Sequence, residues 1–233
     1  MDTGVVLKVL AEEVVVCTRC PRLRQHCAAV AAAKRRAYSD WEYWGKPVPS
    51  FGDPRARVLV VGLAPGAHGS NRTGRMFTGD KSGDFLFRAL FETGFASQPE
   101  SRSREDGLRL KGIYITAAAR CAPPGNKPAP REFRNCRPFL EREIDALREV
   151  RVVVALGALA FDAYLWILRD RGVIESRTGF AFGHNRTHLT APGQPVLISS
   201  YHPSQQNTST GKLTAAMLRR VFDHARRLAG QDA

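Results

Sequence analysis

The 233-residue sequence lacks the features that would place it in a membrane or route it out of the cell. It has no apolar run of the roughly 18–20 residues that a membrane-spanning helix requires. Its first residues, MDTGVVLKVLAEE, lack the charged-then-apolar layout of a secretory signal. We therefore expect a cytoplasmic protein. With 43% hydrophobic residues, the chain can form a single domain over residues 1–233 with a sizeable core.

Three common cofactor motifs are also missing. No Gly-Lys-Ser/Thr closes the glycine-rich stretch 62–80, and Gln206 stands where the leading glycine of a P-loop ending at Gly211-Lys212 would belong. There is no GxGxxG fingerprint of dinucleotide binding. A CxxxCxxC loop, which radical chemistry on S-adenosylmethionine requires, does not occur either. These absences exclude three large classes of enzyme.

Acidic residues are scarce. The chain has 22 Asp and Glu against 35 Lys and Arg, which gives a formal net charge of +13 and a sequence pI near 10.1. Arg outnumbers Lys, and its planar guanidinium suits bidentate contacts to phosphate. This balance indicates a polyanionic partner, with a basic surface that has no partner as the alternative.

Short apolar runs alternate with helical patterns along the chain. The runs are rich in β-branched residues and nearly continuous, as expected of parallel strands that are covered on both faces. We predict a three-layer α/β sandwich with a four-stranded parallel central sheet flanked by helices. The predicted strands are 57–63, 112–118, 151–156 and 196–201. The predicted helices are 82–92, 130–149, 158–171 and 212–228.

The first fifty residues differ from the rest of the chain. They contain an Ala-rich basic stretch with a helical pattern and an aromatic cluster at Trp41, Tyr43 and Trp44. We interpret 1–50 as an extension folded onto the sheet, not as a separate domain. The polar segment 96–111 is predicted to be a mobile loop.

Four of the five cysteines have a spacing typical of a metal site. Cys17 and Cys20 form a CxxC pair, and Cys121 and Cys136 follow much later. Four thiolates fit zinc or a [4Fe–4S] cluster, and the lack of a second CxxC knuckle slightly favours the cluster. Four unrelated core cysteines are the alternative. Cys27 is expected to be a buried thiol that binds no metal.

Two further segments follow predicted strands, at the sheet edge where ligands of α/β proteins bind. The segment 62–80 contains five glycines, which suggests that its backbone approaches a ligand closely, although a tight connection would also explain them. His202 follows the last predicted strand, where a reacting group would lie. A His that only caps or packs is the alternative.

Together these segments resemble family 5 of the uracil-DNA glycosylase superfamily, the B-type bacterial and archaeal enzymes with an iron–sulfur cluster. The resemblance is carried by GLAPGAHGSNRTGRMFTGD (62–80), CAPPGNKP (121–128), HPSQQNT (202–208) and the four cysteines. It implies a monofunctional hydrolase that initiates base excision repair by removing uracil from duplex or single-stranded DNA. It also implies a [4Fe–4S] cluster with a structural role, held by Cys17, Cys20, Cys121 and Cys136. A monomer that associates with the nucleoid and not with membranes is expected.

The resemblance also implies roles for individual residues. His202 would donate to the uracil oxygen that gains charge, and Asp80 and Asn126 are the other catalytic candidates. Phe77 would stack on the extruded base, in a pocket lined by Gly62, Ala64 and Gly66. Three residues would contact DNA, namely Ser204, Arg72 and Arg75.

This sequence departs from the better-known relatives at positions that read the base. Those relatives carry a carboxylate or Asn where Leu63 or Ala64 stands, and an Asn where Ala117 stands. Family 5 itself lacks the first of these polar residues. Losing the base-reading Asn should loosen selectivity, so other deaminated bases, hypoxanthine among them, are expected substrates. Gln205 and Gln206 also replace a large apolar residue that relatives use as a wedge.

Two other functions are compatible with the sequence. The chain could be a nucleic-acid-binding protein with an iron–sulfur or zinc site and no catalytic activity, which the missing first-motif carboxylate favours. It could also be a redox or radical enzyme that depends on the cluster. Uracil excision from DNA would distinguish the glycosylase from both.

Overall fold

A mostly parallel sheet forms the centre of the protein. The computed structural model describes residues 2–230, which contain six strands: β1 (Phe51–Gly52), β2 (Val58–Gly62), β3 (Ile113–Ala117), β4 (Val152–Leu156), β5 (Arg186–His188) and β6 (Val196–Ser200). The strand order is β1-β3-β2-β4-β6-β5. The four central strands are parallel, and in their register Val60 pairs with both Ile115 and Val154. The predicted parallel sheet is confirmed, and it gains a short antiparallel strand at each edge.

Helices cover both faces of this sheet. Within residues 2–230 they are α1 (Thr3–Val15), α2 (Pro21–Ala33), α3 (Ser70–Thr73), α4 (Lys81–Glu92), α5 (Pro130–Ala146), α6 (Ala158–Asp170), α7 (Gln205–Ser209) and α8 (Ala215–Leu228). The four predicted helices are confirmed. The last one begins later than predicted, at Ala215, because the Thr214 hydroxyl caps it by accepting a hydrogen bond from the Met217 N–H (3.3 Å). No helix among the described residues is both long and apolar enough to cross a membrane.

The side chains of β2 divide between two cores. Val58 and Val60 point to one face, where they pack in a buried cluster with residues of α4 and α8. Leu59 and Val61 point to the other face, with residues of α1, α5 and α6. Successive side chains of a strand face opposite sides, so a strand that is buried on both faces must be apolar throughout. The result is the predicted three-layer arrangement.

The N-terminal extension packs closely on this sandwich. α1 packs along α5, and α2 contacts α3. Between them and the sheet, the Trp44 and Gly45 N–H groups donate to the carbonyls of Arg72 (2.9 Å) and Asn71 (3.0 Å). The extension therefore runs beside the glycine-rich segment 62–80.

The polar segment 96–111, predicted to be mobile, is fixed in place by a buried charge pair. Asp106 accepts two hydrogen bonds from the Arg75 guanidinium (2.9 and 2.6 Å) and others from the N–H groups of Arg102 and Leu108. These bonds hold the Asp106 carboxyl in its charged form and lower its pKa to about 2. The segment is thus an anchored loop.

Candidate active site

Phe77 and Gly62 form the base of the site. Gly62 is the last residue of β2, and the Phe77 ring lies directly against it. A Cβ atom at position 62 would lie 2.9 Å from Cε2 and Cζ of Phe77, so only glycine leaves room for the ring. Phe77 itself has φ +51°, a strained value for a bulky residue. Such strain is typical of side chains that are held in place for function.

The His202 ring lies beside the Phe77 ring. Its ring centroid lies 5.8 Å from that of Phe77, with an angle of 30° between the two planes. The backbone carbonyl of His202 accepts a hydrogen bond from Asn207 Nδ2 (2.8 Å), which fixes the turn after β6. Burial lowers the pKa of His202 to about 4, so the imidazole is neutral at physiological pH. Within the described residues neither ring nitrogen has a hydrogen-bond partner, so one remains free to donate to a ligand.

Asp80 occupies a cradle of glycines next to this group. It caps α4, where Oδ1 accepts from the Gly83 N–H (3.0 Å). Oδ2 points at the backbone of Gly66 and Gly69. An added Cβ atom at Gly66 would lie 2.7 Å from Oδ2, and one at Gly69 would overlap it. Burial raises the pKa of the Asp80 carboxyl despite the N–H groups that donate to it. One carboxylate oxygen is therefore committed to the helix, and the other faces the loop that begins at the end of β2.

The structure brings most but not all of the predicted site residues together. Phe77 lies beside both Gly62 and His202, and Asp80 contacts Gly66 on the loop that also carries Ala64. Ser204 caps α7 by accepting a hydrogen bond from the Asn207 N–H (3.4 Å). Asn126 is exposed in a 3-10 turn (Pro124–Asn126) after β3, and no contact joins it to the Phe77–His202 group in the described chain.

The DNA-binding roles predicted for Arg72 and Arg75 are wrong. Both residues are buried, with 3% and 6% of their surface exposed. Arg72 bonds to two backbone carbonyls and stacks on aromatic rings of the N-terminal extension, and Arg75 forms the ion pair with Asp106. Both guanidinium groups are enclosed inside the protein and cannot reach a phosphate in this arrangement.

Sequence reasoning missed one polar pair at the site. His68 lies in the glycine-rich loop, and its Nδ1 is 3.1 Å from the Tyr43 hydroxyl. Burial, together with the nearby Arg35 and Arg72, lowers the pKa of His68. A His among five glycines was a visible signal, but only the fold shows that the N-terminal aromatic cluster supplies its partner.

Four of the five cysteines line one small pocket. Cys17 follows α1, Cys20 caps α2, Cys121 follows β3, and Cys136 lies in α5. The pocket thus joins the N-terminal extension to the sandwich. No group of three or more His, Cys, Asp or Glu side chains in residues 2–230 is arranged to hold a single metal ion.

Polar groups around the pocket fit a sulfur-ligated cluster. The Arg120 N–H donates to Cys136 Sγ (3.2 Å), and Asn135 Nδ2 donates to Cys20 Sγ (3.5 Å). Hydrogen bonds to sulfur and a nearby cation stabilise an anionic thiolate-ligated centre. Cys27 does not line the pocket; it is fully buried, and its Sγ donates to the Ala122 carbonyl (3.6 Å).

Comparisons of the sequence with known proteins identify its relatives. A model of the uracil DNA glycosylase superfamily matches residues 49–226. The type-5 uracil-DNA glycosylase of Thermus thermophilus is 52% identical over 92% of this chain and 94% of its own length. The type-5 enzyme of Pyrobaculum aerophilum is 49% identical over 92% of this chain and 89% of its own. A type-4 enzyme of the same organism is 29% identical over 70% of this chain and 74% of its own.

Proposed function

Because the chain belongs to the type-5 enzymes of the uracil-DNA glycosylase superfamily, we propose that it hydrolyses the N-glycosidic bond of uracil in DNA. The observation that carries this proposal is the position of the Phe77 ring, which lies against Gly62 at the carboxyl edge of the sheet and beside the His202 ring. A base cannot react inside the stacked duplex, so it must be extruded into a pocket. An apolar ring beside an unpaired neutral imidazole suits a flat base that leaves as an anion.

His202 stabilises the leaving base. As the bond to C1′ breaks, electrons move onto the uracil ring, and a carbonyl oxygen gains negative charge. A neutral imidazole N–H that is already in place donates to this oxygen without losing its own proton. Such a preorganised donor contributes roughly 3–4 kcal/mol to transition-state stabilisation.

Asp80 supports the other half of the reaction. The deoxyribose becomes cationic at C1′, and a water oxygen forms the new bond there while a water proton is released. We propose that the Asp80 oxygen that faces Gly66 and Gly69 orients this water or stabilises the sugar cation. Asn126 and Ser204, which are accessible near the same edge, are proposed to contact the DNA backbone.

The pocket is proposed to accept more than uracil. Leu63 and Ala117 offer no side-chain hydrogen bond at the positions from which a base edge could be read. A site without such groups leaves nothing unpaired when a different base enters, so it rejects that base weakly. Hypoxanthine and other deaminated bases are the substrates that this reasoning adds.

The experiment is an excision assay with purified protein. Duplexes and single strands that carry one uracil, hypoxanthine or xanthine are incubated with the protein and treated with alkali, which cleaves abasic sites. We expect scission with uracil and measurable scission with hypoxanthine. Scission with uracil alone would refute the proposed broad specificity. No scission with any base would favour the non-catalytic DNA-binding protein.

Two other measurements test the remaining expectations. Light scattering with and without DNA would test whether the protein is a monomer, and imaging in cells would test whether it associates with the nucleoid.

We propose that Cys17, Cys20, Cys121 and Cys136 hold a [4Fe–4S] cluster. When bound, the cluster would join the N-terminal extension to α5 and to the loop after β3, a structural role. The holoprotein should absorb near roughly 400 nm and contain iron and sulfide. Cys136→Ser should lose most of this iron. Cys27→Ala, which removes the thiol that contacts Cys121 but none of the four proposed ligands, should retain it. Stoichiometric zinc, or equal iron in both variants, would contradict the proposed site.

A further inference from the structure

Arg72 connects the N-terminal extension to the catalytic loop. Its guanidinium carbon lies 3.9 Å from the ring centroid of Tyr38 and 4.1 Å from that of Trp41. We call these two rings the aromatic clamp. Only 3% of Arg72 is exposed, and no carboxylate forms an ion pair with it in the described chain. The clamp therefore replaces much of the hydration that the buried cation has lost.

The guanidinium joins two distant points of the segment 62–80. Nε donates to the His68 carbonyl (2.8 Å), and Nη2 donates to the Gly79 carbonyl (2.6 Å). Asp80 follows Gly79 directly, and Gly69, which forms part of its cradle, follows His68. One planar group thus sets the distance between the two sides of the Asp80 cradle. Nη1 is buried and has no partner within residues 2–230.

We propose that Arg72, held by Tyr38 and Trp41, is a positioning residue that keeps the free oxygen of Asp80 in its glycine cradle. The inference rests on the proposed glycosylase activity. Arg72 is buried and acts through its hydrogen bonds to the loop, not by contact with the base. Its charge also lies close enough to Asp80 to favour the ionised carboxylate, against the effect of burial and of Asp84 one turn further along α4.

The proposal gives the N-terminal extension a role in catalysis. The cysteine pocket fixes one part of the extension, and the aromatic clamp lies in another part, next to the site. Loss of order in the extension would release Arg72. The loop would then lose the contact that joins its two sides, although Phe77 and His202 would still be present.

Two substitutions, Arg72→Lys and Trp41→Leu, change the geometry around residue 72 and keep its positive charge. Arg72→Lys keeps the cation but cannot donate to two carbonyls in one plane. Trp41→Leu removes one ring of the clamp and leaves Arg72 intact, and Trp41→Phe restores an aromatic face. Arg169→Lys is the matched control, because Arg169 stacks at 3.9 Å on Trp166, far along the chain from the loop.

The readouts are single-turnover excision of uracil, affinity for uracil DNA, thermal unfolding and hydrogen exchange of the amides of residues 66–80. We expect Arg72→Lys and Trp41→Leu to slow excision at least about 10-fold, with DNA affinity changed less than about threefold. Amide exchange in 66–80 should accelerate in both variants. Trp41→Phe should recover most of the rate, and Arg169→Lys should match the wild type.

Wild-type rates and exchange in Arg72→Lys would overturn the proposal. Equal slowing in Arg169→Lys, or slowing without faster exchange in 66–80, would overturn it as well. An inactive wild-type protein would instead refute the proposed function. In that case the exchange data still decide whether the clamp orders the loop.

Discussion

The His202 ring is the group whose removal most directly tests the chemistry. We expect His202→Ala to lower uracil excision at least about 100-fold, because one preorganised donor to the leaving base is lost. Binding to uracil DNA should change little, since phosphate contacts dominate affinity. Single-turnover rates and a binding titration would measure the two effects separately. His224→Ala, a change of a half-buried His on α8, is the control. Near-full activity of His202→Ala would refute the proposed role.

The protonation state of His202 gives a second prediction. Burial lowers its pKa to about 4, whereas an exposed His titrates near 6.5. The unfolded chain therefore binds a proton between these values and the folded chain does not, so folding stability falls as the pH drops from about 6.5 to 4. An NMR titration of the imidazole should show a midpoint near 4. His202→Gln should lose less stability than the wild type over this range. A midpoint near 6.5 would show that the ring is hydrated and charged too readily to act as a neutral donor.

Arg72 and Arg75 show where inference from sequence failed at the residue scale. Both lie in a basic, glycine-rich segment, and exposed arginines in such a segment would bind phosphate. What decides their role is the partner, and the partners come from elsewhere in the chain: Asp106 for Arg75, and Tyr38 and Trp41 for Arg72. The grouping of Phe77 and His202, in contrast, follows from the rule that ligands bind at the carboxyl ends of parallel strands.

Asp80 serves helix α4 and the active site at the same time, and two substitutions separate these uses. Asn is as good an N-cap as Asp, so Asp80→Asn should keep the hydrogen bond from the Gly83 N–H and the stability of the helix. Asp80→Ala should lose about 1 kcal/mol of unfolding free energy. Because both variants lose the negative charge beside the sugar, we expect each to slow excision about 10-fold or more. Chemical denaturation and single-turnover rates test this. Full activity in Asp80→Asn would show that Asp80 is only a helix cap.

Among the strands and helices, the sequence patterns predicted those strands that are buried in the core. β2, β3, β4 and β6 are short β-branched runs that are buried on both faces, and each was predicted to within one residue at its ends. The edge strands β1 and β5 were missed, because two and three residues carry no periodicity and their backbone pairing depends on a neighbouring strand. α1 was missed as well, since it packs on α5 through only a narrow set of buried residues.

The net charge of the whole molecule does not give the number of its contacts to DNA. The formal charge of +13 includes Arg72, Arg75 and Arg120, all of which are buried. Arg120 forms an internal ion pair with Glu143 (2.6 Å) next to the cysteine pocket, so it stabilises the fold. Charge that stabilises the interior does not release counterions from DNA. The number of phosphates that the protein neutralises is therefore set by its exposed Lys and Arg side chains and cannot be read from the net charge.

The salt dependence of binding measures that number. The logarithm of the binding constant should fall linearly with the logarithm of salt concentration, with a slope of roughly −0.9 per neutralised phosphate on a duplex. For a domain of this size we expect about three to six phosphates and a slope of roughly −3 to −5. Titrations of uracil and uracil-free duplexes of equal length should give the same slope, because Phe77 and the neutral His202 imidazole carry no charge that could pair with a phosphate. His202→Ala should keep that slope too. A flat response would show that the basic surface does not face DNA, and a slope that changes with the base would place a phosphate contact inside the pocket.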